Sequence, residues 1–483
     1  MQNPEALITL VLYAGLLVGI GLWASSKVKS EDSFLLAGRN LGAIVAGLAY
    51  AASSSSAWVL LGFSGFVYSV GLSAFWMVPG ILAGYAVVWF WVGGVLQRAS
   101  HEKGHLTLTD FIAEGLSPKA KKWIQVFGSL MIAYCFCWYI AAQLQGAGQA
   151  FDDLFGSGLA LGVLIGAGLV LLYAFFGGFV AVALVDMLQG LLIAIVAIVL
   201  PVAAFLAVGG LDGITTALAA APPAYSDVFG GRAGFIALGF VLGISATGFG
   251  ALGQPHLIAW IMAARDRKAR ISGGTIAVAW GLLVYAGMGL LGLCARAFFG
   301  SDMAAEGIFF GSATEFLPGI FAGIIAAATL SAIMSTVDSQ LLVAGAALSH
   351  DLGIRKMFPD RDVLVSRLCI AAMCAASIGV TLLLPSSIFS RVLFAWVALG
   401  AAFGPVVVAR SIGWRPSAAG TISAMLAGFL CSVVLTFILA KSPGEGWSTI
   451  MPWGVALLVL AGDRLASRKA RADLRTAPAS PHE

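Results

Sequence analysis

The residues best placed to do chemistry lie between Leu330 and Ala344, LSAIMSTVDSQLLVA, where Ser335, Thr336, Asp338, Ser339 and Gln340 interrupt an apolar run. A carboxylate at membrane depth costs several kcal/mol unless it has a partner, which makes Asp338 a functional-site candidate. Ala332, Ser335 and Thr336 stand at i, i+3 and i+4, one face of a helix, and Ser335, Asp338 and Ser339 repeat that spacing one step round. Oxygens presented in this way suit a small hard cation such as Na⁺.

The elements that must position these groups are membrane helices. The chain has 483 residues, 60% hydrophobic and 10% charged, with mean hydropathy +0.97. Soluble domains carry roughly 25% charged residues, so this is an all-α polytopic membrane protein lodged in a lipid bilayer. Thirteen spans are predicted near 5–25, 41–70, 73–97, 123–150, 157–180, 182–208, 234–263, 272–298, 316–348, 366–385, 387–410, 416–440 and 446–463. The first has no basic segment before it and no clean cleavage site after it, and reads as a retained helix. With thirteen spans, 23 of the 27 Lys and Arg fall in one set of alternate loops, from Lys27, Lys29 and Arg39 through to Arg475. Only Arg232, Arg296, Arg391 and Lys441 fall in the other set. The positive-inside rule then puts the N-terminus outside and the C-terminus in the cytoplasm, in a plasma (inner) membrane. The membrane domain is expected over 1–465, with 466–483 a disordered tail.

Two spans are interrupted. The second carries Ser53 to Ser56 at its middle, and the seventh carries Gly243, Gly248, Gly250, Gly253 and Pro255. Glycine and proline weaken a helix interior. Two broken spans five apart are the pattern of a transporter built from two inverted five-helix repeats, here 41–208 and 234–411. No glycine-rich loop with Lys-Ser/Thr points to ATP, no nucleophile–base or metal-ligand spacing points to an enzyme, and no partner is called for besides a small solute and the bilayer; nucleic acid is not among them. The six cysteines read as small buried residues.

Six strings carry a family resemblance: DSFLLAGRNLG (32–42), SAWVLLGFSG (56–65), FFGGFVAVALVDMLQG (175–190), GQPHLIAWIMAA (253–264), LSAIMSTVDSQLLV (330–343) and FAWVALGAAFGPVV (394–407). The chain resembles the sodium:solute symporter family, and within it the sodium/proline symporter branch most. The resemblance implies a LeuT-like core, alternating access and solute uptake driven by the Na⁺ gradient. It implies a Na⁺ site at Ala52, Ser55, Ala332, Ser335 and Thr336, and a second site or Na⁺ exit step at Asp186, Asp338 and Ser339. Asp338 stands where relatives often have a small neutral residue.

The substrate is expected near the two breaks, with Ser53, Ser54, Ser56, Ala57, Trp58, Tyr139, Gln143, Thr247, Ala251 and Trp396 as candidate lining. Two features depart from the proline branch: Ser54 replaces an acidic residue, and Thr247 and Ala251 replace an aromatic pair. That loss predicts a wider pocket without a surface for a pyrrolidine ring, so another amino acid or a small carboxylate competes with proline. His256 reads as a structural hydrogen-bonder. A nutrient sensor, a Na⁺/monocarboxylate symporter and a cation channel are the other readings.

Overall fold

The computed structural model describes residues 4–26, 30–318, 321–358, 361–384, 387–441 and 446–476. Lys27, Lys29 and the polar end 477–483 lie outside the described residues. Among the described residues the chain is helical throughout and forms no strand. In order, α1 (Pro4–Ser25) leads through a short α2 (Glu31–Leu36) to α3 (Ala43–Ala57), α4 (Ser64–Val70), α5 (Met77–Ala86) and α6 (Gly93–Lys103). The short α7 (Leu108–Ala113) precedes the long α8 (Pro118–Phe155) and α9 (Leu159–Ala207). Then come α10 (Gly210–Ala220), α11 (Pro223–Ser226), α12 (Gly234–Ser245), α13 (Pro255–Ala263), α14 (Arg267–Phe299) and α15 (Ile308–Phe316). The rest is α16 (Ala322–Ala346), α17 (Asp362–Leu383), α18 (Ile388–Ser411), α19 (Ala418–Val433) and α20 (Ile450–Thr476).

Among the described residues ten stretches are long and apolar enough to cross a bilayer, and two shorter apolar helices, Ile8–Ala24 and Leu159–Leu172, accompany them. One of the ten, Ala43–Lys103, runs for 61 residues and is long enough for two crossings, which agrees with about thirteen spans. α9 joins two predicted spans, parted by Gly178 at φ 57°. α20 continues to Thr476, so the tail expected to be disordered from Ala466 is helical over its described part. Its Ala, Arg, Lys and Leu residues are good helix formers.

Local sequence sets where helices begin. Ser117, Asp266, Ser387 and Ser417 each accept a backbone N–H from the first turn of α8, α14, α18 and α19, and Pro118 follows Ser117 at the first helical position. Burial sets which helices are central. The apolar windows of α16 and α18 are each 94% buried, against 33% for α19, so the first two form the interior and α19 faces outward.

The loops rich in basic residues share one face. Arg39 donates to Ser100 Oγ and to the carbonyl of His105, Arg410 to the carbonyl of Glu114, Lys121 pairs with Asp110, and Arg355 pairs with Glu31. At this basic face the main chain before α3 pairs with the end of α13: Leu41 N–H donates to Ala263 O at 3.0 Å, and Arg265 N–H to Leu41 O at 2.9 Å.

Candidate functional site

α3 breaks at Ser56, whose φ of 53° and ψ of 179° lie in a region that side-chain-bearing residues avoid. Three of the four serines there hydrogen-bond the local backbone. Ser54 and Ser55 hydroxyls donate to Ala51 O at 2.9 and 2.8 Å, and Ser56 Oγ accepts from Trp58 N–H at 3.1 Å. The second break is a tight 3₁₀ passage, Ala246–Gly253, between α12 and α13.

α16 lies against the first break. Thr336 Oγ1 is 2.9 Å from Ser53 O and 3.3 Å from Ala332 O, and Ser335 Oγ is 3.4 Å from Ala332 O. Ala52, Ser55, Ala332, Ser335 and Thr336 are all buried. The helix face read from spacing therefore meets the serine turn, with Ser53 making the direct contact.

A second polar cluster adjoins it. Ser53 donates to Asp186 Oδ2 at 2.8 Å, and the Asp186 carboxyl is in hydrogen-bonding reach of Asp338. Asp338 accepts from the Ser339 N–H at 2.5 Å, while Ser339 Oγ reaches the carbonyls of Ser335 and Thr336 at 3.1 and 3.0 Å. Gln189 is in hydrogen-bonding reach of Tyr13, and neither polar atom of Gln340 has a partner. From α1, Tyr13 hydrogen-bonds Ser331 at 2.5 Å and stands beside both carboxyls. Asp186 is fully buried, not solvated at a span end.

On the other side of α3 is a small cavity. Ser54, Trp58, Tyr139, Thr247 and Trp396 are among its lining. Ser53, Ser56, Ala57, Gln143 and Ala251 do not line it, because their polar groups or backbone are committed elsewhere or they are packed in the core; Gln143 Oε1 accepts the Ala57 N–H at 3.0 Å. The pocket is also not stripped of aromatic walls. Tyr85 and Tyr285 supply them from neighbouring helices, and Trp58 stacks on Phe389 at 5.7 Å. Tyr85 hydrogen-bonds Ser54 Oγ at 2.6 Å. Trp396 is held by donation from Nε1 to Thr247 O at 2.6 Å, and it approaches Gly250 so closely that a Cβ there would fall 2.1 Å from Nε1. Sequence patterns did not point to Tyr13, Tyr85 or Tyr285; a phenol in mid-span was the available signal. Among the described residues the cavity lining carries no charged side chain.

His256 does not behave as a structural hydrogen-bonder. It is fully buried, both ring nitrogens lack a partner, and the ring stands edge-on to Phe136 and Tyr139 at 5.3 and 6.2 Å.

At the basic face, α7 and the end of α16 meet in an ion network that no sequence spacing announces. His350 bridges Glu31 at 3.1 Å and Asp110 at 3.5 Å, Lys121 pairs with Asp110 at 3.0 Å, and Thr109 and Thr107 donate to Asp351 at 2.6 and 3.1 Å. Burial opposes charge on Asp110 and Glu31. It is outweighed at Asp110 by His350 and Lys121, and at Glu31 by His350 and Arg355, so both carboxyls sit below their ordinary values. Their oxygens are occupied by these partners, which accounts for the cluster of Asp110, His350 and Asp351 without a metal.

A buried cluster of oxygens beside a closed apolar cavity, both at helix breaks inside a polytopic bundle, defines a secondary transporter and not an enzyme. The sequence profile of the sodium:solute symporter family matches residues 34–428, and the chain belongs to that family. The osmoregulated proline transporter of Bacillus subtilis is 29% identical, covering 98% of this chain and 97% of its own length. The sodium/proline symporter of Escherichia coli is 29% identical over 89% of this chain and 88% of its own. In fold, the chain is similar to a Na⁺-coupled sialic acid symporter solved in a substrate-bound outward-open state, with TM-score 0.82, 15% identity, and coverage of 96% of this chain and 98% of that one.

Proposed function

We propose that this protein imports a small organic solute, an amino acid of proline's size class, by Na⁺-coupled alternating access, with its basic face in the cytoplasm and its N-terminus outside. Residues 41–208 and 234–411 act as the two inverted repeats. One observation carries the reading: Thr336 of α16 meets the carbonyl of Ser53 at the break in α3. Na⁺ is cargo here. Its principal site takes carbonyls of Ala52, Ser55 and Ala332 and hydroxyls of Ser335 and Thr336. The second takes Asp186, Asp338 and Ser339, whose two carboxyls need a cation or a proton between them.

The cavity supports the substrate class. Its aromatic walls suit the apolar body of a small amino acid, and its lack of charged side chains leaves a carboxylate to helix-end N–H groups and hydroxyls. The relatives that carry proline make L-proline the first solute to test.

Uptake of labelled L-proline and a panel of amino acids and monocarboxylates into proteoliposomes, with Na⁺ or pH gradients imposed separately, tests both parts. Na⁺-driven uptake lost on replacing Ser335 and Thr336 together by Ala supports the reading. Uptake that needs no Na⁺ and follows the pH gradient overturns the coupling.

A further inference from the structure

A second small space lies toward the basic face. Pro255, Ala259 and Met262 of α13, Ile132 of α8 and Asp351 beyond α16 are among its walls. Two elements run past both spaces. On α8, Ile132 lines the second and Tyr139 the first, with Phe136 between; the three fall at i, i+4 and i+7, on one face. On the other broken segment Thr247 lines the first space and Pro255 the second. His256 packs against both Phe136 and Tyr139. His256 thus packs on the stretch of α8 that runs from the lining of one space to the lining of the other.

His256 is the costly member of this partition. A neutral imidazole offers one donor and one acceptor, and burying either without a partner costs roughly 1–3 kcal/mol. An apolar side chain of similar size would avoid that cost. The nine-residue α13 begins at the same point. Proline fills its first position, and the Gln254 side chain provides no cap, so the first-turn N–H groups have no side-chain acceptor. A buried donor and an uncapped helix start together suit an anionic oxygen.

We infer that Phe136, Tyr139 and His256 form an inner partition, and that His256 with the start of α13 is a transient binding site for the carboxylate of a small solute crossing from the first space to the second. The inference rests on the uptake function proposed above and adds a site to it. The partner that His256 lacks arrives with the solute.

The test compares His256→Leu and His256→Asn with wild type in the full-length chain. Thermal unfolding of the purified protein without added solute is the first measurement, and Na⁺-driven L-proline uptake into proteoliposomes is the second. His256→Leu is expected to unfold at or above the wild-type temperature. Its maximal uptake should fall by about tenfold while half-saturation by proline changes by less than about threefold, the split expected when a step after binding is slowed. His256→Asn, which keeps an N–H donor, should recover much of that rate. A lower unfolding temperature for His256→Leu, or wild-type uptake by it, overturns the inference. If wild-type protein does not carry L-proline, the substrate assignment fails, and the unfolding comparison still decides whether His256 is structural.

Discussion

Replacing Thr336 by Val probes the oxygen cluster with the least disturbance. The two side chains have nearly the same shape and the same stiffness at χ1, so α16 keeps its packing and loses one hydroxyl. In the protein that hydroxyl lies 2.9 Å from the carbonyl of Ser53 and is fully buried. Removing it leaves a buried carbonyl without its donor and takes one of five oxygens from the proposed principal Na⁺ site, each a loss of about 1–3 kcal/mol. At about 1.4 kcal/mol per tenfold, Na⁺ half-saturation should rise by about 5- to 150-fold. Two assays read this: the Na⁺ dependence of solute uptake, and the Na⁺-dependent rise in unfolding temperature, which follows occupancy by mass action. Solute half-saturation at saturating Na⁺ should move little, because Thr336 does not line the solute cavity. Thr336→Ser should stay near wild type. A Na⁺ titration of Thr336→Val within twofold of wild type, with the protein folded, refutes the assignment of this hydroxyl to the ion.

Three further perturbations separate the remaining parts. Asp186→Asn should alter Na⁺ dependence more than the order of preferred solutes; an unchanged Na⁺ titration removes Asp186 from the ion path. Gly250→Ala should displace the Trp396 indole, costing about 1–3 kcal/mol as overpacking does and weakening solute binding, measured by unfolding and by uptake half-saturation. Asp110 and Glu31 have carboxyls held below their ordinary values, so their contribution is complete above about pH 4 and is lost as the pH falls through the depressed values. Hydrogen exchange over 104–116 should therefore quicken as the pH falls below about 4, after correction for intrinsic rates. Asp110→Asn at pH 7 should loosen that segment by about 2 kcal/mol, the scale of hydrogen bonds to a charged group; unchanged protection in this variant contradicts the role.

The spans and the breaks were legible because the bilayer imposes length and apolarity, and because a cluster of serines or glycines in mid-span weakens a helix that lipid would otherwise keep intact. That Ser335 and Thr336 share one helix face was legible from the helix period alone. The cavity beside the first break was legible only in part. Trp58, Tyr139, Thr247 and Trp396 lie at or beside the breaks or in the resembling strings, whereas Tyr85 and Tyr285 sit in ordinary-looking spans and reach the cavity through packing that periodicity does not encode. Gln143 has the right spacing from Tyr139, but its carbonyl oxygen is taken by the Ala57 N–H. The ion network of Glu31, Asp110 and His350 joins residues up to 319 apart, and no local pattern marks it.

The pairing of Leu41 with Ala263 and Arg265 has a mechanical consequence. Peptide groups, not side chains, stitch the two discontinuous helices together at the basic face. Such a seam does not depend on side-chain identity, so in the proposed transport cycle an opening on this side would carry both half-helices together.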